Sequence, residues 1–236
     1  MAESYDIRSV DRAEVLHYLG YSGQSLSPEL DSRIGEVVER CLSVARPRGV
    51  TRVFEVAGRE SRDGLPVISL SGTALDLVGN SIAAHLEGAV AVGVLAVTAG
   101  APVDAELRRL SLTDRVAEVI MDAAGSALVE RAADAAEAIL VAQAAERGLY
   151  VGSRFSPGYG DLPLLTQPVL LSTLDAGRQL GITLSPTLLM SPMKSVTAVV
   201  GLFEEPPERE YVICDECLRR EFCELRSAGR YCGRRG

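Results

Sequence analysis

Tryptophan is absent from this sequence, and aromatic residues make up only 5% of its 236 positions. An interior lined by large rings is thereby excluded. With Ala, Leu and Val dominant, the core must close through small side chains packed tightly, and flat surfaces of close approach become possible. Positive charge is also in deficit: 24 Lys and Arg stand against 32 Asp and Glu, for a formal charge of −8 and a pI near 5.0. That balance argues against a nucleic-acid backbone or an anionic membrane surface as the main partner. No apolar run is long enough to span a bilayer, which takes about 20 residues. The longest uncharged stretch, Gly88 to Val103, is interrupted by Gly93, Gly100 and Pro102 and reads as a buried strand and turn. The opening MAESYDIRSVDRAE lacks the apolar segment of a secretory signal, so a cytoplasmic location is expected. No G-x-G-x-x-G opens a helix after a strand, and strands and helices do not alternate regularly, which disfavours a Rossmann domain.

What is present reads as an α+β fold: a mostly antiparallel central sheet flanked by long helices. Apolar residues recur at helical spacing from Asp11 to Leu19 and from Pro28 to Ala45, with Ser27 placed to cap the second helix ahead of Pro28. VTRVFEV (Val50 to Val56) and LPVISL (Leu65 to Leu70) predict a hairpin, Asp76 to Leu86 a helix, and Ala89 to Ala99 a buried strand. Asp104 to Arg147 is Ala-rich and helical, with a break expected at Gly125. A short helix near Pro168 to Leu180 and a final strand through MSPMKSVTAVVGLF follow. The polar stretch FEEPPERE (Phe203 to Glu210) suits a linker, so the chain divides into residues 1–212 and a Cys-rich tail, 213–236. From Cys214 to Gly236 six Arg stand against four acidic residues, a net of +2, leaving −10 (18 basic, 28 acidic) on the rest.

The segment most able to carry function is RFSPGYGDLP, beginning at Arg154. Gly158 and Gly160 permit positive φ while Pro157 and Pro163 fix theirs, so the backbone can be shaped against a ligand. Arg154 offers a planar donor fork for a carboxylate, and Tyr159 an amphipathic ring for a flat ligand. The alternative is a structural turn in which Arg154 pairs with an acidic residue and Tyr159 covers the core.

Taken with Gly181-Ile182 and Leu184, then Met190, Pro192 and Lys194-Ser195-Val196, this segment resembles the C-terminal activation domain of cobalamin-dependent methionine synthase. That domain carries an R-x-x-x-G-Y signature, followed by a helix, a G-[IM]-x-L segment and an A-M-x-P-x-x-S-V strand approach in the same order. The motif likeness covers Arg154 to Gly201, about a fifth of the chain. It implies an activation-domain-like fold that binds S-adenosylmethionine and remethylates cob(II)alamin after one-electron reduction. It further implies that Arg154 grips the methionyl carboxylate, that Ser156 and Gly158 meet the ligand through their backbone, and that Tyr159 and Gly160 face the corrin. Tyr211 falls near the position of the family's late-strand tyrosines and, with Tyr159, joins the implied S-adenosylmethionine contacts. No match is found for the family's acidic contact near the domain's start.

A cobalamin-carrying domain would show D-x-H-x-x-G. His85 and Gly88 are spaced correctly, but Ala83 stands where the Asp belongs, so His85 reads as a helix-face or core histidine. The cobalamin is then expected on a partner, a methionine synthase or related corrinoid protein, with a reductant protein as a further possible partner. In the tail, Cys214, Cys217, Cys223 and Cys232 are spaced C-x2-C-x5-C-x8-C, which points to an iron–sulfur cluster or zinc, with free or disulfide-bonded thiols as the alternative. Cys41 reads as buried core, and Lys194 as solvent-facing. Two competing functions stay open: a non-catalytic module that binds a corrinoid protein, and an electron-transfer activator that uses the Cys-ligated cluster.

Overall fold

The computed structural model describes residues 1–21 and 24–207. After a short strand, β1 (Glu3–Ser4), two helices begin where the sequence places polar caps. The Asp11 carboxylate accepts from the Ala13 amide at 2.7 Å and opens α1 (Arg12–Tyr18). Ser27 Oγ accepts from the Leu30 amide at 3.3 Å, and with Pro28 in the first turn opens α2 (Pro28–Val44).

The predicted hairpin forms as β2 (Arg48–Arg62) and β3 (Leu65–Leu70). Its two-residue turn is Asp63-Gly64, with φ of 54° and 81°, the double positive φ that suits the twist of paired strands. The helix expected over Asp76 to Leu86 is instead a strand, β4 (Asp76–Val78), followed by α3 (Asn80–His85). Neighbouring strands override the local propensity: Asp76 is taken up by Ser69 Oγ at 2.9 Å and Arg62 at 2.9 Å within the sheet, and Gly79, at φ 142° and ψ 157°, cannot continue a helix.

Next comes β5 (Ala91–Thr98), every residue of which is buried, then α4 (Ala101–Thr113) and α5 (Arg115–Glu146). The expected break at Gly125 does not occur; the helices part at Asp114, whose side chain accepts from the Ala117 amide at 3.0 Å. Gly125 lies within the unbroken α5 because Lys194 and Val103 crowd it. A Cβ there would stand 3.1 Å from Lys194 Cγ and 3.3 Å from Val103 Cγ1. Then follow β6 (Tyr150–Phe155), a single 3-10 turn (Leu164–Thr166), α6 (Gln167–Thr173) and α7 (Ala176–Leu180). The one short helix expected near Pro168 to Leu180 is therefore two, separated where Asp175 adopts φ 53°. The chain continues through β7 (Thr183–Leu184), β8 (Met190–Ser191) and β9 (Ser195–Phe203).

The main sheet has the order β4-β3-β2-β5-β9-β6, with β1 added to β2; β7 and β8 form a separate ribbon. The pairs β1–β2, β2–β3, β3–β4 and β6–β9 are antiparallel, as the α+β expectation requires. Among the described residues no helix is long and apolar enough to cross a membrane.

The chain forms two compact units. Among the described residues, the first comprises Met1–Thr51, Leu95–Ala138 and Leu174–Val196; the second comprises Arg52–Val94, Ile139–Thr173 and residues 197–207. In the first, Val15 and Ile34 pack onto Ile120, Ala123 and Ala127 of α5, with Val37 and Val38 completing the cluster. Alanines on α5 let α1 and α2 come close, the arrangement a ring-poor composition demands. In the second, Ala91, Ala144 and Leu202 are fully buried, with Val53, Leu149 and Val151 packed against them. Gly93 makes room for Leu140, whose Cδ1 would lie 2.8 Å from any Cβ added there.

Glu106 of α4 is buried in the first unit and held by Arg40 of α2 at 3.0 Å and by both Nε and Nη2 of Arg109. Hydrogen bonds from Arg109, then Arg40, outweigh the cost of burial and bring its carboxyl down to about 2 from an ordinary 4.5. Its contribution to stability is complete above pH 4.5 and lost as the pH falls toward 2. Glu106→Gln is expected to cost about 1–2 kcal/mol at neutral pH, because the exposed guanidiniums are partly screened. Chemical denaturation across pH 2–7 should show the gap between wild type and variant closing in acid, and a pH-independent gap would contradict the assignment.

Candidate functional site

The second unit holds the RFSPGYGDLP segment, and a one-residue irregularity sets its geometry. Strand β6 pairs with β9 as Tyr150 with Phe203 and Val151 with Leu202, then as Arg154 with Val200 and Phe155 with Val199. Gly152 and Ser153 thus share the single partner Gly201, which makes a β-bulge. Both glycines are needed by the Phe203 ring: a Cβ on Gly201 would stand 2.6 Å from it, and one on Gly152 3.0 Å. Because side chains alternate along a strand, the extra residue reverses the facing of everything after it. Phe155, opposite Val199, is fully buried, and Arg154, opposite Val200, lies on the other face, partly buried at the end of the strand.

Beyond Phe155 the chain makes two successive turns. The Tyr159 amide donates to the Ser156 carbonyl at 3.0 Å across Pro157-Gly158, with Gly158 at φ 91°, which is the Pro-Gly pattern of a type II turn. The Leu162 amide donates to the Tyr159 carbonyl at 3.0 Å across Gly160-Asp161, with Gly160 at φ 51°. The Gly158 amide closes the loop on the Leu162 carbonyl at 2.9 Å. Pro157 and Leu162 are buried while Gly158, Tyr159 and Gly160 form an exposed crest. Tyr159 is 44% exposed and meets the buried Phe155 edge to face, ring centroids 6.1 Å apart.

Asp161 and α3 complete the site, and sequence reading missed them. The Asp161 carboxylate accepts from the Asn80 amide at 2.6 Å and the Ser81 amide at 2.9 Å, filling the cap position that Gly79 leaves without a side chain. Partial burial would raise its pKa, but the Ser81 and Asn80 hydrogen bonds win and hold the carboxyl below its ordinary range. At the other end of α3, His85 Nε2 lies 2.8 Å from the Ser153 carbonyl. A carbonyl only accepts, so Nε2 carries the proton. Burial depresses the His85 pKa, partly offset by this bond, which keeps the ring neutral at physiological pH. The His85 and Phe155 rings are 5.0 Å apart. The only clue in the sequence was an Asp placed one residue after a Gly-rich crest, whose partner amides lie some eighty positions away.

Several other expectations meet the structure here. Arg154, Ser156, Gly158, Tyr159 and Gly160 are brought together along one strand end and its two turns. Lys194 is not solvent-facing: it is buried in the first unit, with Nζ 2.8 Å from Asp122 and 3.0 Å from Ser126, beside the narrow flank of α5 that Gly125 provides. Cys41 is buried as expected, and burial pushes its thiol up to about 12. The GITL and MSPMK segments supply the β7–β8 ribbon, with Thr183 opposite Ser191 and Leu184 opposite Met190. Tyr211 and the ligand set Cys214, Cys217, Cys223 and Cys232 lie outside the described residues. Among the described residues no group of three or more His, Cys, Asp or Glu is arranged to hold a metal ion.

Gly79 and Asp161 are sterically linked: a Cβ on Gly79 would stand 2.4 Å from Asp161 Oδ1, and its φ of 142° belongs to glycine alone. Gly79→Ala is therefore expected to expel the Asp161 carboxylate and lower stability by about 1–3 kcal/mol. Thermal melting reads the cost, and faster amide exchange at Asn80 and Ser81 reads the lost cap. An alanine variant with unchanged exchange there would contradict this account.

No protein-family model matches the sequence, and no curated protein matches it. Among solved structures the chain is similar to the crystal structure of the MetH reactivation domain bound to AdoHcy, with a TM-score of 0.61 and 16% identity. The likeness covers 98% of this chain and 86% of that one. At that identity the match establishes architecture: the chain has the fold of the MetH reactivation domain.

Proposed function

We propose that this protein binds S-adenosylmethionine at the Arg154–Gly160 loop and supports reductive remethylation of cobalamin carried by a partner methionine synthase or related corrinoid protein. The observation that carries the reading is the loop itself. A half-buried guanidinium at the end of a bulged strand precedes an exposed crest in which Tyr159 is flanked by two positive-φ glycines. A Cβ on Gly158 would meet only Leu164 Cδ1, at 3.7 Å, so the crest is open to a ligand. Its neighbour in fold is a domain bound to AdoHcy, the demethylated form of the proposed ligand.

In this reading Arg154 fixes the methionyl carboxylate through a bidentate pair, and the Ser156 and Gly158 backbone meets the ligand. Tyr159 and Gly160 face the corrin, which needs a flat and unobstructed approach. Transfer moves a methyl cation from the sulfonium to the reduced cobalt, after a reductant has supplied one electron; the by-product is S-adenosylhomocysteine. Cobalt is the nucleophile, so no side chain acts as acid or base, and the protein contributes orientation. Tyr159, Leu164, Leu165 and Val169 are exposed on the same unit, Leu165 at 75%, and this apolar surface supports docking of a protein partner. That surface would serve equally the second reading, a non-catalytic module that binds a corrinoid protein.

Isothermal titration with S-adenosylmethionine, with and without the corrinoid partner, separates the two. Binding is expected for the wild type, and Arg154→Ala should weaken it about 10- to 100-fold, the worth of a charged hydrogen-bonded pair. The same variant should slow remethylation of partner-bound cob(II)alamin, and full activity in Arg154→Ala would overturn the assignment. We further propose that Cys214, Cys217, Cys223 and Cys232 hold an iron–sulfur cluster or zinc. The absorption spectrum and metal content of anaerobically purified protein test this. Visible absorption with iron would assign the redox role, stoichiometric zinc in a colourless sample would assign a structural one, and absence of both metals would refute the site.

A further inference from the structure

We propose that α3 is a clamp that positions the ligand loop and that His85 is its positioning residue. The inference rests on the S-adenosylmethionine reading for its functional consequence, while the clamp itself stands on contacts within the second unit. Three contacts tie this six-residue helix to the segment from Ser153 to Asp161. At its start, the Asn80 and Ser81 amides are held by Asp161, the residue that follows the crest. At its end, His85 Nε2 donates to Ser153, one of the two residues of the bulge that directs Arg154. Between them, the His85 ring lies against Phe155, and Phe155 in turn meets Tyr159 edge to face.

The helix therefore spans the loop like a brace, with one attachment before Arg154 and one after Gly160. A bulge leaves a carbonyl outside the ladder that would otherwise hold it, and the position of the next side chain depends on where that carbonyl is fixed. His85 fixes it from inside the core, on a neutral ring whose one proton is committed to Ser153. Glycine at position 79 is part of the same device, since any other residue would displace the Asp161 attachment. His85 is thus assigned to setting the angle of Arg154 and the plane of Tyr159, with no contact to ligand of its own.

The test uses the full-length protein and two readouts. Hydrogen exchange at the Gly158, Tyr159 and Leu162 amides reports loop order without ligand, and titration with S-adenosylmethionine reports function. Gln can place its Nε2 donor where the imidazole Nε2 was, whereas Phe keeps the ring and loses the donor. Expected for His85→Phe is exchange at the three loop amides about tenfold faster and binding about tenfold weaker, the worth of one neutral hydrogen bond. His85→Gln should stay within about threefold of wild type in both. Should His85→Phe fail to fold, Asp161→Ala decides the matter from the exposed end, with the same acceleration expected at the loop amides. Loop exchange unchanged in both His85→Phe and Asp161→Ala would overturn the clamp, as would His85→Gln behaving no better than His85→Phe. If loop exchange responds as expected but the wild type binds no S-adenosylmethionine, the clamp stands and the ligand assignment falls.

Discussion

The rest of the site depends on one surplus residue in β6. Because Gly152 and Ser153 share Gly201 as partner, Arg154 stands opposite Val200 and Phe155 opposite Val199; without the surplus residue the two side chains would exchange faces. The bulge is stable because Gly201 and Gly152 leave space for the Phe203 ring, and because His85 satisfies the Ser153 carbonyl that the irregularity sets apart. A backbone defect is thus stabilised by packing on one side and hydrogen bonding on the other.

The same economy recurs at two of the junctions where a strand hands over to a helix. Gly79 and Gly100 both sit at positive φ with ψ near 155°, a region closed to other residues. At Gly100 the reason is backbone proximity, since the Arg46 carbonyl would lie 3.0 Å from an added Cβ. At Gly79 it is the Asp161 carboxylate. In neither case does the capping residue bring a side chain of its own, so each helix start relies on a chain segment far away in sequence or does without.

Local chemistry was readable from the sequence wherever it was decided locally. Ser27-Pro28 announced α2, LPVISL announced β3, and the Gly and Pro of the Arg154 segment announced its turns. Errors arose where distant contacts overrode propensity. Asp76 to Val78 reads as the start of a helix until Ser69 and Arg62 claim the Asp76 carboxylate, and Gly125 reads as a break until Lys194 and Val103 fill the groove beside it. His85 reads as a helix-face or core histidine because Ala83 stands two residues before it, and it is buried, but its bond to Ser153 spans 68 positions and has no local signature. Asp161 belongs to the RFSPGYGDLP segment, but its capping role has no local signature either, for the same reason.

The steric tie between Gly79 and Asp161 has a consequence for tracing descent. The constraint runs one way: while Asp161 holds its place, position 79 admits no side chain. A distant homologue that retains a PGYGD crest but carries a side-chain-bearing residue at the place of Gly79 must have reshaped the end of its loop. At sequence identities where motif matching fails, this pair, separated by about eighty residues, marks which chains build the loop in the way seen here.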